Sequence, residues 1–427
     1  MKSLAILWAQ YGPYHFARVA ALRKSAGSVK VHALELASRT SDYQWNRPAA
    51  ADLITLYPGA VAEHLSFREV FPRVRRSLAE LEVEVCLLPS YAPIQSLAAL
   101  LAAKSLGIRT VMMNESHAGT ARARGLAAWV KRRLARQFDA ALVGGSLQKR
   151  YFASLGLPEE MIFTGYDAVD NDYFAKRAEE VRSQREEVRR KYHLPEHYFL
   201  SLGRFVPKKN LSTLIRAYRK VLDSSRDCRT HLVMVGSGEE ERKLRFLCQE
   251  LGLPTYDKAA GGSEHDLPGV HFYGFRQIEE NPVFYALADV FVLPSAWEEW
   301  GLVVNEAMSS GLPVVVSETA GCAEDLLATD THGRLARVDV GIRQNGFVFD
   351  PGSSESLARA LLALASDPAL REVMGQASRV LVENFSCAAF ARNALMAARA
   401  ANGEMVSSQP AFSSAGQPVG AASGLRS

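Results

Sequence analysis

The chain has 427 residues, 48% of them hydrophobic and 22% charged, with a formal charge of +4. That length exceeds one ordinary core, and that balance excludes a disordered or collagen-like chain. Five scattered cysteines, Cys86, Cys228, Cys248, Cys322 and Cys387, form no Cys-x-x-Cys pair, which argues against a zinc site or a disulfide framework and suits a reducing, cytoplasmic setting.

Met1-Lys2-Ser3 runs straight into a strand-like segment, with no signal-peptide pattern. Strands are expected at 4–8, 29–34, 53–57, 85–88, 110–113 and 140–143. Helices are expected between them at 16–26, 67–81, 94–106, 122–137 and 147–155. Such alternation implies βαβ units and a parallel sheet covered on both faces. The most apolar stretch, 92–103, falls short of the ~20 residues of a spanning helix, so the expectation is a soluble or surface-attached protein. The modest charge gives no reason to expect a nucleic-acid partner. It is, however, concentrated in 121–137, where Arg122, Arg124, Lys131, Arg132, Arg133 and Arg136 share a helix with Leu126, Trp129, Val130 and Leu134. A basic helix with an apolar stripe suits an anionic lipid surface, which would place the protein at the inner face of the cytoplasmic membrane; an ordinary surface helix would turn that stripe to the core.

Between Ala175 and Tyr192 the composition turns to Lys, Arg and Glu, read as a solvated helix beside an interdomain connection. A second alternating series follows, with strands at 198–202, 231–235, 270–273, 290–293 and 313–316 and helices opening near Leu211, Glu239, Pro282, Leu302, Ser354 and Pro368. The domains expected are therefore 1–194 and 195–385, then a helix at 386–402. The stretch 403–427, rich in Ser, Gly, Ala and Pro, is read as a disordered tail.

In doubly wound sheets ligands bind at the carboxyl ends of strands, so the loops after strands hold the chemistry. The strand at 290–293 leads through Ser295, Glu298 and Gly301 into a helix carrying Glu306. Amides at a helix start are unpaired and lie at the positive end of its dipole, and a glycine there lets phosphate oxygens approach. Two carboxylates near such a phosphate make sense as acceptors for sugar hydroxyls. After the strand at 198–202, Gly203-Arg204 and Lys208-Lys209-Asn210 offer cations for a diphosphate, and Gly236 and Gly238 form a tight turn after the next strand.

Glu298-x7-Glu306 in its Ser-x-x-Glu-x-x-Gly-Leu-Val setting, the Gly203-Arg204…Lys209-Asn210 loop and Asn345-Gly346 before Phe347 resemble family 4 of the retaining glycosyltransferases. The likeness is close over 198–390 and looser before it. It implies the GT-B fold, an α/β architecture of two Rossmann-like domains facing a cleft: an acceptor-binding domain, a nucleotide-sugar-binding domain, and a C-terminal helix crossing back to the first. It implies that Glu298 contacts the transferred sugar, Glu306 the ribose, and Arg204 and Lys209 the diphosphate, assisted by amides at Gly301, Leu302 and Val303, with Gly203 and Gly236 lining the donor site. No metal or other cofactor is expected. His117 matches a histidine that relatives carry near the donor sugar. The loop after the first strand holds Gly12 and His15 where many relatives have a Gly-Gly pair. Gly12, His15 and Glu115 become acceptor-site candidates, His15 with the alternative of a satisfied helix-start residue. Gly165-Tyr166-Asp167-Ala168-Val169-Asp170 resembles a family turn and is read as structural.

Asp170-Asn171-Asp172 has the Asp-x-Asp form that holds a divalent metal in another glycosyltransferase fold. It stands beside the charged connection, while Arg204 and Lys209 already supply cations for a phosphate. The implied activity is retaining transfer from a nucleoside-diphosphate sugar, UDP favoured, to a glycan or lipid-linked acceptor in cell-surface polysaccharide synthesis. Rival readings are a small-molecule acceptor, a GT-B epimerase or hydrolase, and a non-catalytic sugar-nucleotide sensor. A nicotinamide dehydrogenase would need a Gly-x-Gly-x-x-Gly turn, which neither Gly12 nor Gly236–Gly238 completes.

Overall fold

A computed structural model describes residues 1–41, 52–121, 125–225, 228–257, 267–327 and 340–405. The first sheet comprises seven parallel strands: β1 Ser3–Trp8, β2 Lys30–Arg39, β3 Leu53–Val61, β4 Val85–Pro89, β5 Arg109–Asn114, β6 Ala140–Val143 and β7 Ile162–Phe163, in the order β3-β2-β1-β4-β5-β6-β7. Successive side chains go to opposite faces. Ala5 and Leu7 join Val70, Val74 and Leu78 of the helix Phe67–Glu80 in one core. Leu4 and Ile6 join Phe390, Ala391, Ala394 and Ala398 in another. The latter four lie on the helix Cys387–Ala401, whose small residues recur three and four apart and bring it close to the strands. It packs beside the helix Pro13–Ser25 and against β4 to β7, so the last described helix returns to the first domain.

The second sheet holds β8 Tyr198–Leu202, β9 His231–Val235, β10 Thr255–Asp257, β11 Val270–Phe272, β12 Val290–Leu293, β13 Val314–Ser317, β14 Val340–Arg343 and β15 Gly346–Phe349, in the order β10-β11-β9-β8-β12-β13-β15-β14. All neighbours are parallel except β14 and β15. The chain leaves β1 toward one edge of the first sheet and then returns to β4 on its other side. It does the same from β8 to β12. A crevice opens at each reversal, and these two crevices position the site.

The reading of 175–192 needs correction. Two helices, Asn171–Ser183 and Arg185–Tyr192, occupy it, and the first buries Phe174, Ala178 and Val181 with Phe284 and Tyr285 of the second domain. Three apolar side chains four and three apart make a stripe that the surrounding charge obscures. Asp170 caps that helix by accepting from the Tyr173 amide at 3.0 Å, and buried Asn171 donates to the Val382 carbonyl at 3.0 Å. The Asp-x-Asp triplet is thus part of a helix start. At the chain's far end, Glu404 Oε1 lies 2.6 Å from the Met1 ammonium, so ordered contact extends just past 402. Residues 406–427 lie outside those described.

Candidate active site

The loop from β12 to the helix Leu302–Ser309 delivers Glu298, which is buried. The loop after β8 brings two lysines to it. Lys208 Nζ lies 3.2 Å from Glu298 Oε1 and 3.1 Å from Glu299 Oε2, and Lys209 Nζ pairs with Glu298 Oε2. Ser295 Oγ donates to the same Oε2 at 3.1 Å. Burial alone would raise the Glu298 carboxyl, but the Lys209 and Lys208 charges outweigh it and hold the group below its ordinary range. Burial likewise pulls Lys208 down, and the Glu298 charge with the Glu299 hydrogen bond leaves it raised. Two carboxylates and two ammonium groups thus form a neutral, part-buried quartet. Lys208 also lies 4.8 Å from the Trp297 ring centroid.

The two loops are tied together through the backbone. Ala296 N donates to Lys208 O at 2.8 Å, and Asn210 Nδ2 bonds the carbonyls of Pro294 and Pro351 at 3.1 and 2.9 Å. Asn210 adopts left-handed backbone, which asparagine tolerates better than most residues. Gly301 stands at the helix start with φ +107, and a Cβ there would meet Leu293 Cδ2 at 2.8 Å. The amides of Leu302 and Val303 open the helix behind it. Gly203 and Gly236 belong to neighbouring turns, joined where Gly203 N donates to Val235 O at 2.9 Å. Arg204 is on the same loop and exposed.

Glu306, in the helix, is buried and receives a hydrogen bond from the Tyr14 hydroxyl of the first domain. Burial pushes its carboxyl up to about 7, against the hydrogen-bonding influence of Tyr14, Tyr285 and Asn281. Tyr14 neighbours the candidates Gly12 and His15. His15 Nδ1 accepts from the Gly12 amide at 2.9 Å, and its ring lies 4.4 Å from that of Trp8. Burial, aided by the Arg18 charge, lowers His15 to about 3, so it is neutral. The local role of both residues is to start the helix Pro13–Ser25.

His117 is buried and bridges the domains. Its Nε2 lies 2.9 Å from the Glu298 carbonyl, which makes Nε2 the protonated nitrogen, while Nδ1 accepts from Gly119 N at 3.2 Å. Further bridges surround it. Gln148 Nε2 donates to Glu299 O at 2.7 Å, the Ser146 amide and hydroxyl donate to Asp325 at 2.9 and 2.6 Å, and Arg150 forks onto Glu324 at 2.9 and 2.5 Å. The Gly144-Gly145 turn lets the buried Trp300 ring approach: a Cβ at Gly145 would stand 2.8 Å from it.

Glu115 follows β5 and faces the same side. Its carboxyl is raised by burial and by the charges of Glu299 and Glu298, partly offset by Arg18. Asp167, read from sequence as structural, is fully buried and raised by burial and by Glu115.

The structure therefore gathers Glu298, Lys209, His117 and Gly301 at one place, with Glu306 at the adjoining contact. Sequence reasoning missed Tyr14, Ser146, Gln148 and the burial of Asp167, and it named Lys208 only as one of the loop's cations. Tyr14, Ser146 and Gln148 depend on how the domains meet, and Asp167 on packing inside the first domain. Asn345 holds the Leu326 carbonyl at 3.0 Å and accepts from Val314 N at 3.1 Å, so it supports the sheet edge.

Residues 184–380 match the family model described as "Glycosyl transferases group 1". Across 74% of the chain, the sequence is 29% identical to the sulfoquinovosyl transferase SQD2 of Arabidopsis thaliana, of whose length it covers 56%. It is 28% identical to a GDP-mannose-dependent phosphatidylinositol monomannoside mannosyltransferase of Mycobacterium tuberculosis, over 72% of this chain and 73% of that one. The chain thus spans little more than half the length of the first relative. The fold matches that of Anabaena Alr3699/HepE, solved with UDP and glucose, at a TM-score of 0.62 and 18% identity over 92% of this chain and 98% of that one. The likeness to HepE shows a shared fold, and the family match lies over the second domain and the connection before it.

Proposed function

We propose that this chain is a retaining, metal-independent glycosyltransferase that takes a hexose from a nucleoside-diphosphate donor, a UDP-sugar, and passes it to a glycan or lipid-linked acceptor. The observation that carries this reading is the Glu298–Glu299–Lys208–Lys209 quartet beside the Gly301 helix start. A diphosphate arriving there meets two ammonium groups and the amides of Leu302 and Val303, and Arg204 extends the positive side of the loop. As the anomeric bond breaks, charge grows on the departing phosphate, so groups already aimed at it lower the barrier. Glu298, freed from Lys209 by the phosphate, accepts hydroxyls of the sugar and fixes its orientation. Glu306 takes the ribose hydroxyls once Tyr14 yields. His117 acts by holding the Glu298 loop through its carbonyl and is a positioning residue.

The two cations take the place of a metal in this scheme. No side chain is assigned as a covalent nucleophile, and the leaving phosphate accepts the acceptor's proton on the face the donor has just left. UDP is chosen because HepE, with the same fold, was solved with UDP.

The acceptor side extends to a membrane. In the helix Gly125–Ala135 the side chains of Leu126, Trp129 and Val130 face solvent, at 77%, 57% and 41% exposure, while Leu134 at its end packs on the first domain's core. Lys131, Arg132 and Arg133 share that helix, an arrangement suited to the anionic inner face of a cytoplasmic membrane and to lipid-linked glycans of the cell surface. Arg122 and Arg124 lie outside the described residues. No described helix is long and apolar enough to cross a membrane.

The test is a thermal-shift comparison of UDP- and GDP-sugars. A donor at ten times its Kd stabilises by about 1.4 kcal/mol. The expected result is a clear shift with UDP-sugars, without added metal, that disappears in Lys209→Ala. If no nucleotide sugar moves the melting curve of the intact protein, the proposal fails.

A further inference from the structure

First-domain side chains reach the loop and helix that carry Glu298 and Glu306, and they take different kinds of partner. His117 and Gln148 hold backbone carbonyls, those of Glu298 and Glu299, at 2.9 and 2.7 Å. Neither of these contacts involves a carboxylate. Tyr14 differs, because its hydroxyl donates to Oε1 of the Glu306 carboxylate itself. The other oxygen, Oε2, is buried and meets no donor in hydrogen-bonding geometry among the described residues. Glu306 has no exposed surface, so a ligand reaches its carboxylate only after a covering group moves, and Tyr14 is a covering group supplied by the other domain.

The place of Tyr14 is set by its neighbours. Gly12 and Pro13 open the helix Pro13–Ser25, and His15 Nδ1 accepts from the Gly12 amide at 2.9 Å while its ring lies 4.4 Å from that of Trp8. Trp8 Nε1 in turn donates to Tyr166 Oη at 3.0 Å. The first turn of the helix is therefore fixed on the first domain, while the Tyr14 ring packs against the apolar core of the second. Opposite it, Glu306 stands on the helix Leu302–Ser309, whose Asn305 Oδ1 accepts from Trp300 Nε1 at 2.9 Å. With both backbones held, the phenol leaves Glu306 by rotating its side chain or by a parting of the domains.

We infer that the Tyr14 hydroxyl is a built-in stand-in for a ribose hydroxyl, occupying Glu306 in the free protein until a nucleotide displaces it. A phenol and a sugar hydroxyl offer a carboxylate the same O–H donor. Because Glu306 has no exposed surface left, the two cannot lie on it together. The free chain thus competes with its own ligand: the nucleotide's intrinsic dissociation constant is divided by the fraction of molecules in which Tyr14 has let go. This rests on the glycosyltransferase reading, which gives Glu306 to the ribose, and adds to it a first-domain residue that sets donor affinity.

The test is calorimetric binding of UDP, GDP and their 2′,3′-dideoxy counterparts to the full chain and to Tyr14→Phe, at pH 8, above the value of about 7 to which burial pushes Glu306. Phe keeps the ring and loses the hydroxyl, so removing this hydrogen bond to a charged group should tighten binding of the preferred nucleotide about tenfold. Its dideoxy counterpart brings no hydroxyl to Glu306 and leaves room for the phenol, so its weaker binding should be the same in both proteins. Tyr14→Leu, which also lacks the hydroxyl, should show the same selective gain, and a single cooperative melt of each variant shows that it folds. Unchanged or weaker nucleotide binding in the variants, or an equal gain for the dideoxy nucleotide, overturns the inference and leaves the glycosyltransferase reading standing. Binding of no nucleotide by the parent or the variants overturns both.

Discussion

Replacing Glu306 by Gln separates the cost of this buried carboxyl from its use. In the unfolded chain the group ionises near 4.5, and in the folded protein burial pushes it up to about 7. Between those values the native state binds the extra proton, so stability is full below about 4.5, falls as pH rises, and levels off above about 7. Each tenfold change in ionisation constant is worth about 1.4 kcal/mol, which sets an upper bound of about 3 kcal/mol for the loss. Gln keeps the shape and can accept from Tyr14 but cannot ionise, so Glu306→Gln should lack this part of the pH dependence and melt above the parent at pH 8. Melting temperatures of both proteins from pH 4.5 to 8.5 provide the assay. The same data bear on function, because ribose hydroxyls favour the ionised carboxylate. UDP binding at pH 6 should therefore release a proton, seen in calorimetry as a buffer-dependent heat that Glu306→Gln loses. Parallel pH profiles for the two proteins would refute the reasoning.

Lys209→Ala removes the cation on Glu298 Oε2, and transfer should fall at least ~100-fold with a cost in folding of about 1–3 kcal/mol, checked by steady-state kinetics and thermal melts. Gly145→Val forces atoms against the Trp300 ring and Asp325, and should open the cleft; a larger radius of gyration in solution scattering and a raised donor KM are expected. Asp325→Asn weakens the Ser146 contact and should shift the same two readouts in the same direction but less. Reversing Lys131, Arg132 and Arg133 to Glu together with Trp129→Ala should abolish cosedimentation with vesicles containing anionic lipid, at about 1 kcal/mol per charge, while transfer to a water-soluble acceptor is retained.

The architecture was legible where the signal is local. Buried parallel strands such as β6 and β12 write themselves as continuous apolar runs, and the loops after β8 and β12 follow from them. Glu298, Lys209 and Gly301 could be placed together because strand order alone brings those loops to one crevice. Short strands such as β7, with two residues, and β10, with three, carry too little periodicity to be read. The stripe Phe174–Ala178–Val181 was hidden by the charges around it. Tyr14 on Glu306 and Asp167 behind Glu115 join residues 292 and 52 positions apart (306 − 14; 167 − 115). No pattern along the chain encodes such meetings; the first arises from how one domain settles on the other, the second from packing within the first domain.

The most direct test of the transfer chemistry is the anomeric configuration of the first-formed product, followed by proton NMR as an α-linked UDP-sugar is consumed. A leaving phosphate held between Lys208, Lys209 and the Gly301 helix start, with the acceptor entering on the face it vacates, predicts an α-linked product from the earliest time points. A β-linked first product would contradict the account.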